Sequence, residues 1–326
     1  VQTCALPIWF IIAPRYFSDS TNETDHFSLI VFALIGAVTM VSFNNMIMLF
    51  LGIEILSISM YILAGSSKRS LESNEAALKY FLMGSFATGF LLFGIALIYG
   101  VTGSFQLDTI AGKLQSTDVS GNVMAVAGML LIVIALAFKV SAVPFHFWAP
   151  DVYQGSPTVI TAFMSTVVKT AAIAAFFRLF LHAFSTEAMV WKNTIWALSA
   201  LTILIGNITA VYQSNVKRML AYSSIAHAGY MLLAILALNS TAPAALFYYT
   251  AAYSVSSITS FAILLAVAGA TGGEGIESFN GLARKNPFLA ATTVITMLSL
   301  AGIPPTAGFF AKYFIFSSVL RSEEHT

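Results

Sequence analysis

Five charged side chains fall within or beside stretches apolar enough for hydrocarbon: Glu54, Lys79, Lys139, Lys169 and Lys312. One such charge at the centre of a membrane helix costs about 2.5–3.5 kcal/mol on insertion scales, so five of them require partners or a use. A carboxylate and four amines in that setting offer proton exchange. Burial disfavours the ammonium form and an approaching carboxylate favours it, so a movable Glu–Lys contact loads or releases a proton. Lys169 lies midway along its segment and is flanked by Ser165, Thr166 and Thr170. His227 follows Ser223 and Ser224 by four and three residues, a single helical face, which makes it a relay candidate. The plainer alternatives stand beside these readings. Long lysines near helix ends snorkel to the interface, as Lys79 would, four residues after Glu75. Glu54 with Lys79 would serve equally as a structural ion pair, and His146 or His227 as a hydrogen-bonded packing residue.

The elements that must position these groups follow from the apolar segments. Segment one is expected over 28–43, after a polar stretch 18–26; segment two over 46–64, where Glu54, Ser57 and Tyr61 share one face; segment three over 75–101. A loop over 102–121 leads to segment four (122–142), whose end carries Lys139. Segments five to eight follow at 158–181, 194–212, 219–238 and 244–270, with a short basic turn from Gln213 to Arg218 between six and seven. Segment nine starts at Pro287, is interrupted at 302–305, and resumes through Lys312 to Leu320. Two of these segments are broken beside a lysine, by Pro144 and Pro150 near Lys139 and by Pro304 with Pro305 near Lys312. Proline removes a backbone donor and frees a carbonyl, groups tolerated in a membrane only inside protein or beside water, so hydration is expected next to both lysines.

Composition narrows the class. Of 326 residues, 58% are hydrophobic and 9% charged, and mean hydropathy is +0.84. Segments of about 20 apolar residues cross a bilayer as helices. The expected fold is therefore an all-α, polytopic transmembrane helical bundle in a lipid bilayer. A net charge of +1 with no basic run interleaved with aromatics argues against nucleic acid. Cys4 is the single cysteine, so this chain builds neither a disulfide framework nor a cysteine-ligated cluster, and any redox cofactor is expected on a partner. Val1 to Ile8 and the charged tail 321–326 read as fragment ends, the tail as non-native residues, and nothing is drawn from Cys4 or His325. No Walker loop, dinucleotide fingerprint or serine–histidine–acid set is present in a credible context.

Counting crossings, with the proline-rich stretch after Lys139 completing segment four, puts Lys68/Arg69, Lys217/Arg218 and Arg284/Lys285 on one face. The positive-inside bias makes that face cytoplasmic. A faint internal repeat aligns Ala77-Leu-Lys-Tyr80 with Ala245-Leu-Phe-Tyr248, each followed by a helix broken beside a lysine. Five crossings separate the copies, an odd number that inverts them, as in transporter folds.

Leu51-Gly-Ile-Glu54-Ile-Leu-Ser57, Ala77-Leu-Lys79-Tyr80-Phe81, the run from Phe138-Lys139 through Pro144-Phe-His-Phe-Trp-Ala-Pro-Asp-Val-Tyr-Gln-Gly-Ser-Pro157, the Lys169 helix, and Ser299-Leu-Ala-Gly-Ile-Pro-Pro-Thr-Ala-Gly-Phe-Phe-Ala-Lys312 carry a family resemblance. The chain resembles subunit N of bacterial NADH-quinone oxidoreductase (complex I), homologous to mitochondrial NADH dehydrogenase subunit two, in the antiporter-like membrane subunit family. The resemblance implies a proton-translocating membrane-arm subunit of the inner (plasma) membrane, its partners the other membrane-arm subunits. It implies Glu54 and Lys79 as the input pair, Lys139 and Lys169 as the central relay, and Lys312 as the exit lysine. NADH, FMN, iron–sulfur clusters and quinone would all be used by partner subunits, with no cofactor in this chain. The family fold has fourteen helices in two inverted five-helix repeats. Residues 28–182 would be the first repeat and 183–320 a truncated second one, after an N-terminal stretch 1–27. Multisubunit cation/proton antiporters and membrane-bound hydrogenases share the lysine plan. The Pro-Asp-Val-Tyr-Gln-Gly-Ser-Pro run and a lysine at 312 favour subunit N.

Overall fold

The computed structural model describes residues 23–116, 119 and 121–323. Cys4, His325, residues 324–326 of the tail and most of the stretch 1–27 lie outside the described residues. The described chain is helical: α1 (Glu23–Ser42), α2 (Met46–Ala64), α3 (Leu71–Thr102), α4 (Leu107–Gln115), α5 (Val123–Val140), α6 (Trp148–Gly155), α7 (Thr158–His182), α8 (Ala188–Val211), α9 (Val216–Ala237), α10 (Ala242–Thr271), α11 (Leu282–Lys285), α12 (Pro287–Ala301) and α13 (Ala307–Glu323). Eight helices among the described residues are long and apolar enough to cross a membrane.

Local chemistry sets the ends, and it moves several of the expected boundaries. Segment one is already helical at Glu23, ahead of the expected 28. Segment three starts at Leu71 because the Ser70 hydroxyl accepts from Ser73 N–H and caps it. Asn45 and Asn215 cap α2 and α9 in the same way. Lys217 and Arg218 therefore belong to the first turn of α9 and not to a connecting turn. The expected loop 102–121 contains α4, whose Leu107, Ile110 and Leu114 are buried at i, i+3 and i+7. Segment six begins six residues early, at Ala188.

The helices approach closely where side chains are smallest. A Cβ on Gly36 of α1 would lie 2.5 Å from Leu56 N, and one on Gly52 of α2 would lie 2.6 Å from Met40 N, so the two backbones cross on a pair of glycines.

The joint after α1 recurs after α8. Met46 N donates to Phe105 O and Leu107 N to Asn44 O; in parallel, Val216 N donates to Glu274 O and Ile276 N to Ser214 O. A long helix precedes the second half of each joint, α3 ending at Gly103 (φ 69°) and α10 at Gly272 (φ 76°). A broken helix follows each, at Ser141 (φ 63°) and Gly302 (φ 80°). The two joints lie at opposite ends of the bundle. The first meets Arg178 at the end of α7, which donates to Phe43 O and Asn44 Oδ1. The second meets the start of α7, where Thr158 donates to Glu274 and Lys217 to Ser156 O.

Both breaks are closed by protein groups. At the first, Val143 N donates to Thr202 Oγ1 at 2.9 Å and Trp148 Nε1 to Phe138 O at 3.0 Å. At the second, Lys312 Nζ reaches back across the gap to Ala301 O at 2.9 Å and Leu300 O at 3.3 Å. Side chains thus take a share of the work that the sequence reading gave to water.

Candidate functional site

Lys139 occupies the last turn of α5, two residues before Ser141 turns the backbone into the left-handed region. It is 6% exposed, and its Nζ donates to Ser57 Oγ on α2 at 2.6 Å, 5.9 Å from the Tyr80 ring centroid. Ser57 in turn donates to Ile53 O. Glu54 lies one turn before Ser57 on the same helix. A cavity of about 10 Å³ borders Ser57, Tyr61, Thr88 and Lys139, at the lower limit for one water. Among the described residues, Glu54 Oε1, the Tyr80 hydroxyl and Ser141 Oγ are buried without a hydrogen-bond partner, and buried polar groups of this kind are normally met by ordered water.

Of the two places that the sequence reading left open for Lys79, the structure has the one beside Glu75 and not the pair with Glu54. Its ammonium lies 2.6 Å from Glu75 and 2.7 Å from Asp151, with its side chain 40% exposed, and among the described residues it makes no ion pair with Glu54. The reason is its position in the third turn of α3, at the end of the bundle where α6 packs. Asp151 there also takes Arg218 at 2.8 Å, and Arg218 donates to Gln154 Oε1 at 3.0 Å. A cavity of about 170 Å³ opens among Glu72, Glu75, Lys79, Asp151, Gln154 and Arg218. Glu54 instead lies one turn from Ser57, the acceptor of Lys139, and Lys79 lines a polar vestibule.

Lys169 is 1% exposed, at the end of a π-helical stretch, Met164–Val168, that interrupts α7. Its Nζ donates to Ser224 O at 2.8 Å and Ser224 Oγ at 2.5 Å, both on α9, and lies 6.0 Å from the Tyr153 ring centroid. These are neutral acceptors, which leave the amine free to change charge where a fixed carboxylate would hold its proton.

One turn beyond Ser224, His227 is buried with Nδ1 2.6 Å from the Tyr249 hydroxyl, and its ring lies 4.9 Å from that of Tyr253. Tyr230, on the same helix, supplies the ring face under Lys312 Nζ at 4.8 Å. The structure therefore brings Lys169, His227 and Lys312 into one region, and Glu54 with Lys139 into a second. His146, at the first break, is buried against Phe147 with ring centroids 4.5 Å apart, a packing position.

Sequence reasoning missed Asp151, Arg218 and the tyrosines 153, 249 and 253. Asp151 was visible only as part of a motif. The tyrosines had one signal, Tyr249 and Tyr253 spaced four apart on a segment with no charge. Among the described residues, no group of three or more His, Cys, Asp or Glu side chains is arranged to hold a metal.

Residues 43–326 match the family model described as NADH:quinone oxidoreductase/Mrp antiporter, transmembrane. NADH-quinone oxidoreductase subunit N of Cytophaga hutchinsonii is 50% identical over 315 residues, covering 96% of this chain and 68% of the relative. Among solved structures, a chain of respiratory complex I from Thermus thermophilus with bound aureothin superposes with a TM-score of 0.78 at 38% identity, over 91% of this chain and 64% of that one. A chain of the Mrp complex from a Dietzia species gives 0.82 at 25% identity, over 91% and 55%. The chain thus spans about two thirds or less of the length of these proteins.

Proposed function

Because the chain belongs to the NADH:quinone oxidoreductase/Mrp antiporter transmembrane family, we propose that it is the proton-conducting part of a complex I membrane-arm subunit of the N type. The observation that carries this reading is a line of amines, Lys139 and Lys169 buried and Lys312 half-buried, each held by hydroxyl or carbonyl oxygens and two of them beside a helix break. Protons enter from the vestibule of Glu75, Lys79 and Asp151. The Glu54 charge biases Lys139, and Lys169, His227 and Lys312 continue the line. Residues 28–182 and 183–320 act as two inverted repeats, the recurring joint at opposite ends of the bundle supporting that division. The end bearing Lys68, Arg69, Lys217, Arg218, Arg284 and Lys285 faces the cytoplasm of a cell whose inner membrane holds the complex. Redox chemistry on partner subunits supplies the drive, and this chain's share is to hold, shift and release protons.

The test uses the full-length subunit in the assembled complex, reconstituted in proteoliposomes. Lys139→Ala and Lys312→Ala are each expected to lower the ratio of protons moved to electrons passed, while quinone reduction in detergent is retained. A wild-type ratio in both variants would overturn the reading. The similarity to the Mrp complex supports a second reading, cation/proton antiport, and sodium-stimulated transport without NADH or quinone is the result that would favour it.

A further inference from the structure

Tyr253 has no role in the lysine line as drawn so far, yet it touches both sides of it. Its hydroxyl lies 2.9 Å from Ser224 Oγ and 3.0 Å from Ser165 O, and its ring packs on His227. A phenol has one hydrogen, and two acceptors compete for it here. The second acceptor is available because of the π register. Lys169 N–H, which in an α-helix would take Ser165 O, donates to Met164 O and Thr166 O.

We infer that Lys169, Ser224, Tyr253 and the Ser165 carbonyl form a reversible hydrogen-bond chain, whose two polarities match the two charge states of Lys169, with Tyr253 the positioning residue that permits the reversal. With Lys169 as an ammonium, Nζ donates to Ser224 Oγ. The Ser224 hydrogen then turns to the Tyr253 oxygen, and the Tyr253 hydrogen to Ser165 O. With Lys169 as a neutral amine, the two bonds of the Ser224 hydroxyl reverse and the bond to the Ser165 carbonyl opens. Tyr253 releases Ser165 O and donates to Ser224 Oγ, and the Ser224 hydroxyl donates to the Nζ lone pair. Both states keep each hydroxyl hydrogen bonded in a site closed to solvent, which a single fixed polarity cannot do. The chain moves no proton of its own. It lets the amine gain or lose one without stranding a buried group. The titratable groups around Lys169 are Tyr153 from α6, His227 from α9 and Tyr253 from α10, with Lys312 of α13 beyond them over the Tyr230 ring.

The inference rests on the relay reading, and the experiment separates the two. Tyr253→Phe keeps the ring and its packing and removes only the hydroxyl. It strands the Ser224 hydrogen in the ammonium state alone, since in the amine state Ser224 still donates to Nζ. Proton translocation by the assembled complex, followed against pH, is therefore expected to lose its alkaline limb about one unit earlier than wild type, the size of one buried hydrogen bond. In a Ser224→Ala background the same substitution is expected to add no further shift. Should Tyr253→Phe fail to assemble, Ser224→Ala alone carries the expectation of an earlier alkaline limb. A Tyr253→Phe profile superimposed on wild type, or a shift undiminished in the Ser224→Ala background, overturns the inference. If Lys169→Met also leaves translocation intact, the relay reading itself falls; if Lys169→Met abolishes it, only the chain does.

Discussion

Lys169→Met is expected to leave the protein folded and assembled while cutting its proton translocation at least ten-fold. The two halves of that expectation have separate physical grounds. Lys169 is 1% exposed and bonded through Nζ to Ser224 alone among the hydrogen bonds described. Replacing a buried ion by an apolar side chain of similar length is often neutral or stabilising, because the desolvation penalty disappears with the charge. Methionine is unbranched and adapts to the channel that the lysine stem occupied. Ser224 O retains its place in α9, and the Ser224 hydroxyl retains Tyr253. The thermal midpoint in detergent is therefore expected to stay level or rise. Translocation fails because no other amine, imidazole or carboxylate lies at this point of α7: the π stretch holds Met164, Ser165, Thr166 and two valines. A ten-fold loss corresponds to about 1.4 kcal/mol added to the barrier. The measurement pair is midpoint and proton-to-electron ratio on one preparation. A wild-type ratio in Lys169→Met would remove Lys169 from the proton route.

What could be read in advance divides by the range of the interaction. The crossing helices were legible because bilayer thickness sets a length and apolar composition marks it; α2 spans the expected 46–64 without a shift. The breaks were legible because proline acts on its own backbone. Errors clustered where a polar side chain extends a helix beyond its apolar run, as Ser70 does for α3 and Asn215 for α9, since caps override a hydropathy boundary. The apolar period of 107, 110 and 114 marks the short α4, but nine residues are too few to cross a bilayer, so hydropathy alone does not separate it from a loop.

For the site, residue identity was legible and pairing was not. A lysine amid leucines announces itself, whichever neighbour it finds. The partner of Glu54 depends on how α2, α3 and α5 rotate against one another, and small-residue contacts such as Gly94 against Gly128 set that rotation. Lys79 lies 25 residues from Glu54 in the chain, yet it takes a carboxylate 72 residues away, because α6 folds back beside the start of α3. The π stretch before Lys169 left no sequence mark either, as its hydroxyl residues serve equally well in an α-helix.

The seating of α6 against α3 is also where a single methyl-sized group is expected to have its largest effect on stability. Gly155 closes α6, and a Cβ there would press on the Glu72 carbonyl oxygen and lie 2.9 Å from Ala76 Cβ. A carbonyl inside the first turn of α3 cannot step aside as a side-chain tip would, so Gly155→Val forces α6 away from α3. Overpacking of this kind costs about 1–3 kcal/mol, roughly a 5- to 150-fold fall in the folded-to-unfolded ratio. The displacement carries Asp151 away from Lys79 and Trp148 away from the Phe138 carbonyl, so the support of Lys139 goes with it. Ion pairs alone predict a different ranking. Asp151 and its partners Lys79 and Arg218 are 31–40% exposed, and pairs so wet contribute about 0.2–1 kcal/mol each. Asp151→Ala is therefore expected to lower the unfolding midpoint less than Gly155→Val, and Gly269→Ala, where a Cβ meets nothing within 4 Å, is expected to lower it not at all. Unfolding midpoints of the three full-length variants in detergent, with the amount of each recovered in membranes, give the order. A Gly155→Val midpoint at or above that of Asp151→Ala would show that charge, and not backbone packing, seats α6.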